Sequence, residues 1–162
     1  MYLIESILAG LWATLFMDLL AKILSKKKLI HAFITPEELG RWFLYLVKGK
    51  IAHANIRKTP PLKNETAGYY FSHYLIGIAL AGIYLFLALI FKELGENAWV
   101  ALVFGILTVT LPWFWLLPTI GLGFIAARSV NRMKIIKTNL INHTNFGIGL
   151  FLWFIFFHSL FV

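Results

Sequence analysis

The chain has 162 residues, of which 60% are hydrophobic and 14% are charged. A soluble domain of this length is usually about half apolar and about a quarter charged, so the composition indicates a membrane protein. The absence of cysteine excludes disulfides, thiolate metal sites and a cysteine nucleophile. The formal net charge is +8. Because the basic residues lie between apolar runs, membrane topology explains them, and no nucleic-acid partner is predicted.

Four segments are long and apolar enough to cross a bilayer as helices, which takes about 20 residues each. The first has no basic start or cleavage site and ends in Lys26, Lys27 and Lys28, so it is interpreted as a retained span rather than a signal peptide. The sequence therefore predicts an all-α membrane protein that forms a single transmembrane domain over residues 1–162. Its four transmembrane helices are expected at residues 3–24, 67–91, 98–127 and 138–162.

The lysine and arginine residues predict the orientation of these helices. All 15 of them except Lys92 lie in or beside residues 22–63 and 128–137. Because positively charged loops stay in the cytoplasm, both segments are predicted to be cytoplasmic. The 92–97 turn and both termini are then outside. The expected location is the bacterial inner membrane, with both termini in the periplasm.

The third segment, 98–127, is longer than one span needs, since about 30 helical residues would cover about 45 Å against a hydrocarbon core of about 30 Å. Pro112 and Pro118 each remove a helix hydrogen bond, and Gly121 and Gly123 follow them. We expect a kink at Pro112 and a break between Pro118 and Gly123. Such a break is tolerated at membrane depth only where protein or a wet cavity covers it, so it indicates either a kinked packing helix or a ligand-lining break.

The cytoplasmic segment 25–65 contains one short helix signal. Thr35 to Glu38 fits a capping box with proline at the first helical position. Apolar residues then follow at helical spacing as far as Val47, and Gly49 ends the pattern. The pattern predicts an amphipathic helix that lies in the cytoplasmic interface. The alternative is a helix that packs under the bundle.

Two windows of the chain resemble each other. Residues 73–80 and 143–150 both read His-x-x-x-Gly-Ile-small-Leu, and residues 10–13 and 105–108 show a weaker similarity. These pairs favour a parallel 2+2 internal repeat, with a pseudo-two-fold axis along the membrane normal. Chance similarity among apolar helices is the competing explanation.

Three ionisable residues lie inside the predicted spans, where they are costly and usually face the bundle interior. Asp18, His73 and His143 all fall roughly 8–10 Å below the cytoplasmic boundary at about 1.5 Å per helical residue. Each also lies on a stripe of small residues, which is a helix-packing face. The sequence therefore predicts one shared polar layer. Thr14, Asn142 and Tyr74 are further candidates for ligand or ion binding there, and Arg41 and Arg128 are candidates for holding an anionic group.

Several kinds of chemistry fit this layer. Two imidazoles and a carboxylate could bind a divalent metal, relay protons or hold a ligand. They could also only join helices by hydrogen bonds. No cofactor is firmly implied, and no close His-x-x-x-His spacing supports the metal hypothesis. His158, near the outer end, is expected at the interface without a role.

Motifs along most of the chain resemble one bacterial family of small integral membrane proteins, domain of unknown function number twenty-nine thirty-eight. They are Gly10-x-x-Ala13-Thr14-x-x-Met17-Asp18, Gly40-Arg41-Trp42, His53-x-x-Ile56, Pro60-Pro61, Gly68 with His73-Tyr74-x-x-Gly77, Pro112 and Pro118 with Gly121-x-Gly123, and His143-x-x-Phe146-Gly147-x-Gly149-Leu150. The loop after Arg128-Ser129 departs from this pattern, since it is basic where a proline-containing turn is expected. The resemblance implies an uncharacterised four-helix inner-membrane protein and supplies no reaction.

Three functions remain open. The first is binding or transport of a small solute or ion through the polar layer. The second is a membrane-embedded enzyme that acts on a lipid-like substrate, with Asp18 or a histidine as the acid or base and Arg41 or Arg128 on the head group. The third is a structural or assembly subunit. No nucleophile motif, phosphate loop or metalloprotease motif favours the enzyme. The expected partners are the bilayer, a small solute, ion or lipid ligand, and further copies of this chain, because the bundle is small for a transporter acting alone.

Overall fold

The computed structural model describes residues 1–92 and 97–161, and within these ranges the regular structure is helical, with no strand. Short 3₁₀ turns occur at Ile56–Lys58, Phe124–Ala126 and His158–Leu160. Most of the predicted outside turn, residues 93–96, and the terminal Val162 lie outside the described residues. The five longer helices are α1 (Tyr2–Lys26), α2 (Pro36–Val47), α3 (Glu65–Ile90), α4 (Ala98–Leu107) and α5 (Arg132–Phe156).

Among the described residues, three helical stretches are long and apolar enough to cross a membrane. They are Tyr2–Lys26, Glu65–Ile90 and Ala98–Thr119. The fourth expected span, α5, has 25 residues but does not reach this apolar standard. Its first half is polar, with Asn139, Asn142, His143 and Asn145 among its side chains. The structure therefore supports three apolar spans, and α5 has the length of a span without its composition.

α5 is instead the most enclosed of the long helices. Ten of its 25 residues are buried, against five of 25 in α1. Neighbouring helices thus shield its polar side chains, which is where such residues are tolerated. The same side chains lower the mean hydropathy of α5, so it is not among the three apolar stretches. α1 lies beside it and divides cleanly into two faces. Its small residues Ala9, Gly10, Ala13 and Thr14 are buried, whereas an exposed face carries Leu3, Ile4, Ile7, Leu8, Leu11, Leu15, Leu19 and Ile23.

Close glycine contacts fix the helix arrangement, in which α1 packs between α3 and α5, and α4 packs on α5. A Cβ atom on Gly10 would overlap the α3 backbone at Gly77 and Ile78, and one on Gly105 would overlap the α5 backbone at Gly147. Backbones approach this closely only where side chains are absent or very small. Tyr84 of α3 then joins the bundle across its core, since its ring contacts those of Phe104 and Phe154.

The third apolar stretch is not one regular helix. α4 ends at Leu107, a π-helical segment follows at Pro112–Leu116, and one α-helical turn completes the stretch at Leu117–Thr119. We call Pro112–Leu116 the π segment. The chain then turns through Gly121 and Gly123, whose φ angles are +97° and +73°. The departure from α-helix thus begins before Pro112, earlier in the chain than the kink expected there.

Residues of the 25–65 segment cover the backbone that this break exposes. His53 N donates to Thr119 O at 2.7 Å, and Ile56 N donates to Ile120 O at 3.1 Å. Gly121 lies against the carbonyl of Ala54, where a Cβ atom would overlap it. The carbonyls freed at the end of the helix are therefore satisfied by protein, which is the condition for broken backbone at membrane depth.

α2 begins with the capping box that its sequence indicates. Thr35 Oγ1 accepts from Glu38 N at 3.2 Å, and Glu38 Oε2 accepts from Thr35 N at 3.0 Å. The helix packs on the start of α3, where Gly40 lies against the carbonyl of Glu65. Trp42 is 2% exposed and its ring meets Trp115 edge-on at 5.3 Å. α2 therefore packs on the bundle through one face, which contains its two buried residues, Gly40 and Trp42, and covers the π segment.

Candidate functional site

A cavity of about 180 Å³ lies between α1, α2, α3, α5 and the π segment. Its polar lining residues are Thr14, Trp42, Ser72, His73 and His143, and no aspartate, glutamate, lysine or arginine lines it among the described residues. The remaining wall consists of apolar side chains and one glycine: Met17, Leu39, Ile76, Gly77, Leu80, Leu111, Pro112, Trp115, Leu116 and Phe146.

One side of this cavity opens on the outer face of the bundle. Ile76, Leu111 and Trp115 each line it and are 42%, 41% and 44% exposed. The opposite wall is closed, since Thr14 is 0% exposed and Phe146 is 3% exposed. The mouth is thus surrounded by exposed apolar side chains.

Asp18 and His73 form a pair at the edge of this cavity. His73 Nε2 lies 2.9 Å from Asp18 Oδ1, and the Tyr74 hydroxyl donates to Asp18 Oδ2 at 3.2 Å. An ionised carboxylate only accepts, so His73 Nε2 is the donor in this contact, and in the neutral form of the ring Nδ1 has the lone pair. The ring also stacks on Tyr69 with centroids 5.2 Å apart. Asp18 itself does not line the cavity, and its side chain is 32% exposed.

His143 is held by a different partner. Its Nδ1 lies 2.7 Å from Thr108 Oγ1, and that hydroxyl donates to Gly105 O at 2.5 Å. Because a hydroxyl has one proton, Thr108 accepts from His143 Nδ1–H. Nε2 of the neutral ring therefore keeps its lone pair. The two histidines line one cavity, while Asp18 reaches it only through His73.

The remaining polar candidates divide between the cavity and the helix contacts. Thr14 lines the cavity, but its hydroxyl is pressed against Gly77. Tyr74 holds Asp18 and does not line the cavity. Asn142 lies on α5 outside the cavity wall, and its Oδ1 is buried without a hydrogen-bond partner among the described residues. The arrangement does not extend to a metal centre, since the described part of the chain has no group of three His, Cys, Asp or Glu residues that could hold an ion.

Arg41 is engaged in the fold. Its Nε and Nη2 donate to the two carboxylate oxygens of Glu65 at 2.6 and 3.0 Å, and Nη1 donates to Thr59 O at 3.0 Å. The hydrogen bond to Glu65 is the largest influence on the pKa of Arg41, and it raises that pKa. These contacts tie α2 to the start of α3 and leave little of the guanidinium for a head group. Arg128, the other anionic-group candidate, is exposed and lies outside the cavity wall.

A second buried polar cluster, which the sequence did not indicate, lies between the start of α1 and the end of α5. Glu5 is 0% exposed, and its Oε1 lies 2.6 Å from His158 Nδ1 and accepts from Trp153 Nε1 at 3.3 Å. His158 was expected at the interface without a role, but it is a hydrogen-bond partner of this carboxyl group. The sequence feature that could have indicated this cluster is Glu5, an acidic residue inside an otherwise apolar run.

Comparison with known proteins places the chain in a family and gives no activity. The family model described as "Protein of unknown function (DUF2938)" matches residues 7–156. This is the family that the motifs resemble, and the match states neither a helix count nor a location, so the four-helix inner-membrane character stays a prediction. No curated protein and no solved structure matches the chain.

Proposed function

The chain belongs to the DUF2938 family of proteins of unknown function, and from its geometry we propose that it binds a small molecule from the bilayer and transports it. The observation that carries this proposal is the uncharged cavity beside the π segment, with two imidazoles in its wall and an apolar mouth. Pockets lined by apolar groups and a few fixed polar groups are typical of small-molecule sites. π-helical segments also occur often at functional sites.

The membrane arrangement is part of the same proposal. The chain is a single transmembrane domain in a bacterial inner membrane, with α5 as its fourth crossing helix and both termini in the periplasm. In support, the basic segments lie at one end of the bundle, where His31 N donates to Thr138 Oγ1 at 3.1 Å and Arg132 Nε donates to Ile125 O at 3.1 Å. The Glu5–His158 pair lies at the other end of α1 and α5. A basic end of this kind is typical of the cytoplasmic side.

A parallel 2+2 repeat would give this bundle its internal symmetry. The windows at residues 73–80 and 143–150 each place a glycine at a tight helix crossing. Gly77 meets α1 at Gly10, and Gly147 meets α4 at Gly105. Corresponding residues of the two halves thus make corresponding contacts, which supports the repeat beyond similarity of sequence.

The bilayer and further copies of this chain are the proposed partners. The cavity beside the π segment is small, at about 180 Å³. Transport by alternating access generally moves one repeat or bundle against another. A homo-oligomer would supply the second body. The ligand would enter each copy through its own mouth.

Replacing Leu116 by tryptophan tests the binding proposal, because the larger side chain fills the cavity. Phe114→Trp is the matched control, since Phe114 lies in the same π segment, is 53% exposed and does not line the cavity. Native mass spectrometry of protein released from membrane extracts should show a small bound molecule in the wild type and in Phe114→Trp but not in Leu116→Trp. Equal retention by all three proteins would contradict a role for the cavity.

One observation favours a second function, a membrane-embedded enzyme. Asp18 orients His73 by a 2.9 Å contact, which leaves Nδ1 of a cavity-lining imidazole as a base. In that case the purified wild type should convert a component of a bacterial lipid extract, and His73→Gln should not. A lipid composition that the wild type leaves unchanged, measured by mass spectrometry over time, would argue against catalysis.

A further inference from the structure

The wall of the cavity beside the π segment disfavours a charged ligand. No aspartate, glutamate, lysine or arginine lines it among the described residues, and Asp18 behind His73 already accepts from His73 and Tyr74. An ion that leaves water for an apolar site needs a partner of opposite charge or several strong hydrogen bonds. The lining supplies neither, so the molecule that fits is neutral.

Trp42 supplies a hydrogen-bond donor without an acceptor. Its side chain lines the cavity and is 2% exposed, and its Nε1 has no partner among the described residues. The indole N–H only donates, so a ligand oxygen would satisfy it. Elsewhere in the bundle, Trp12 Nε1 donates to Gly149 O at 3.0 Å and Trp153 Nε1 donates to Glu5 Oε1 at 3.3 Å. Trp113 Nε1 is also buried without a partner among the described residues, but Trp113 does not line the cavity. The indole of Trp42 differs because it lines the cavity, where a ligand can satisfy it.

The two histidines supply the complementary acceptors. His73 directs Nε2 to Asp18, and His143 directs Nδ1 to Thr108. Each neutral ring keeps one nitrogen lone pair, which can accept a proton donor. A single group that both donates and accepts matches both kinds of partner, the histidine acceptor and the Trp42 donor. A hydroxyl is the smallest neutral group with this property.

We propose that the cavity binds an uncharged, mainly apolar molecule that carries a hydroxyl group, an inference that rests on the proposed function of this site. The cavity of about 180 Å³ is comparable to an engineered cavity of about 150 Å³ that holds benzene. It therefore accommodates a ring-sized portion. Any longer apolar part leaves through the mouth between Ile76, Leu111 and Trp115, which are exposed toward the bilayer.

Four probes with one ring skeleton test this ligand class: cyclohexanol, cyclohexane, cyclohexanecarboxylate and cyclohexylamine. Their binding to the full detergent-solubilised chain is measured by saturation-transfer NMR, with protein-free micelles as the blank. Trp42→Phe removes the N–H and keeps an aromatic ring, and Trp99→Phe is its control, because Trp99 is 63% exposed and does not line the cavity. His143→Phe removes an acceptor and serves as a second variant if Trp42→Phe does not fold.

Cyclohexanol should bind most tightly of the four, and Trp42→Phe or His143→Phe should weaken its binding about fivefold, the typical effect of one hydrogen bond. Cyclohexane binding should not change in either variant, and Trp99→Phe should match the wild type. The ligand class is wrong if cyclohexane equals cyclohexanol, if a charged probe binds best, or if the folded variants keep full cyclohexanol affinity. Absence of saturable binding for all four probes, or binding that survives Leu116→Trp, would instead contradict the binding site itself.

Discussion

At the scale of single residues, the account depends on buried polar side chains at two levels of the bundle. The cavity-side residues Asp18, His73 and His143 could be singled out from sequence because ionisable groups inside apolar runs are costly. Tyr74, which contacts Asp18, was also among the candidates, whereas Thr108, the partner of His143, could not be found because it has no distinguishing pattern. Glu5 carries the same kind of signal, but an acidic residue in the first turn of a helix also suits the helix dipole, so the sequence alone did not single it out.

Glu5→Ala should destabilise the protein strongly. The change leaves His158 and Trp153 without their buried acceptor, and breaking a buried ion pair by removing one partner typically costs about 3–5 kcal/mol. Glu5→Gln keeps an acceptor oxygen and should cost less. The apparent melting temperature in detergent measures both. Ser6→Ala is the control, since Ser6 Oγ donates only to Tyr2 O of its own helix. Equal melting temperatures for Glu5→Ala and Ser6→Ala would show that the pair contributes nothing.

The protein should lose stability as the pH falls below about 6.5, partly through His53. Burial lowers the pKa of His53 from its ordinary value of 6.5, and the charge of Lys50 lowers it further. The unfolded chain therefore binds this proton more readily than the folded chain does, so the folded state is favoured above pH 6.5 and is weakened as the pH falls below it. Between about pH 8 and about pH 5, the wild type should lose more melting temperature than His53→Gln. His31→Gln, at an exposed position, should behave as the wild type, and identical acid losses in all three proteins would refute the assignment to His53.

At the scale of elements, sequence patterns predicted the structures that depend on neighbouring residues. The capping box at Thr35 and Glu38 is local, and it starts α2 as its residue types require. Proline and glycine likewise marked the region where the third apolar stretch departs from α-helix. The π segment was not predictable in this way, and neither was the pairing of His53 and Ile56 with Thr119 and Ile120. Both depend on residues far apart in the chain.

Gly10→Ala should destabilise the α1–α3 contact by about 1–3 kcal/mol, the usual cost of overpacking. The added methyl group would overlap the backbone of Gly77 and Ile78, which cannot move aside as a flexible side chain can. Gly82→Ala is a matched control in the same helix pair, because its Cβ would meet Ser6 at an ordinary distance of 3.5 Å. Melting temperatures should fall for Gly10→Ala and stay level or rise for Gly82→Ala. The reverse order would show that the tight crossing has been misplaced.

At the scale of the whole molecule, the polar helix α5 accounts for the difference between the four spans expected and the three apolar stretches observed. Four crossing helices were expected from apolar length, and three described stretches meet that standard. α5 does not meet this standard because its asparagines and His143 lower its mean hydropathy. Neighbouring helices enclose much of α5, so these polar residues are tolerated there. Enclosure of α5 by its neighbours depends on how the whole bundle packs, so a sum of residue hydropathies along one segment cannot detect it.

Cysteine labelling tests the proposed orientation directly, since the chain has no native cysteine. Lys27→Cys should be protected from a membrane-impermeant maleimide in intact cells, and Asn97→Cys should react with it. Lys27 belongs to the basic end of the bundle, and Asn97 lies at the opposite end, where α4 begins. Both should react after permeabilisation. Reaction at position 27 with protection at position 97 in intact cells would reverse the orientation.

The most direct test of the cavity as a binding site is photolabelling in membranes with an alkanol that carries a diazirine. Peptide mapping should place adducts on the lining residues Ile76, Trp115 and Phe146, and excess cyclohexanol should suppress them. Adducts on lipid-facing residues such as Leu15 and Phe86, which are 46% and 61% exposed, should be weaker and insensitive to the competitor. Labelling spread evenly over these outer faces, with no suppression at the cavity, would contradict the account.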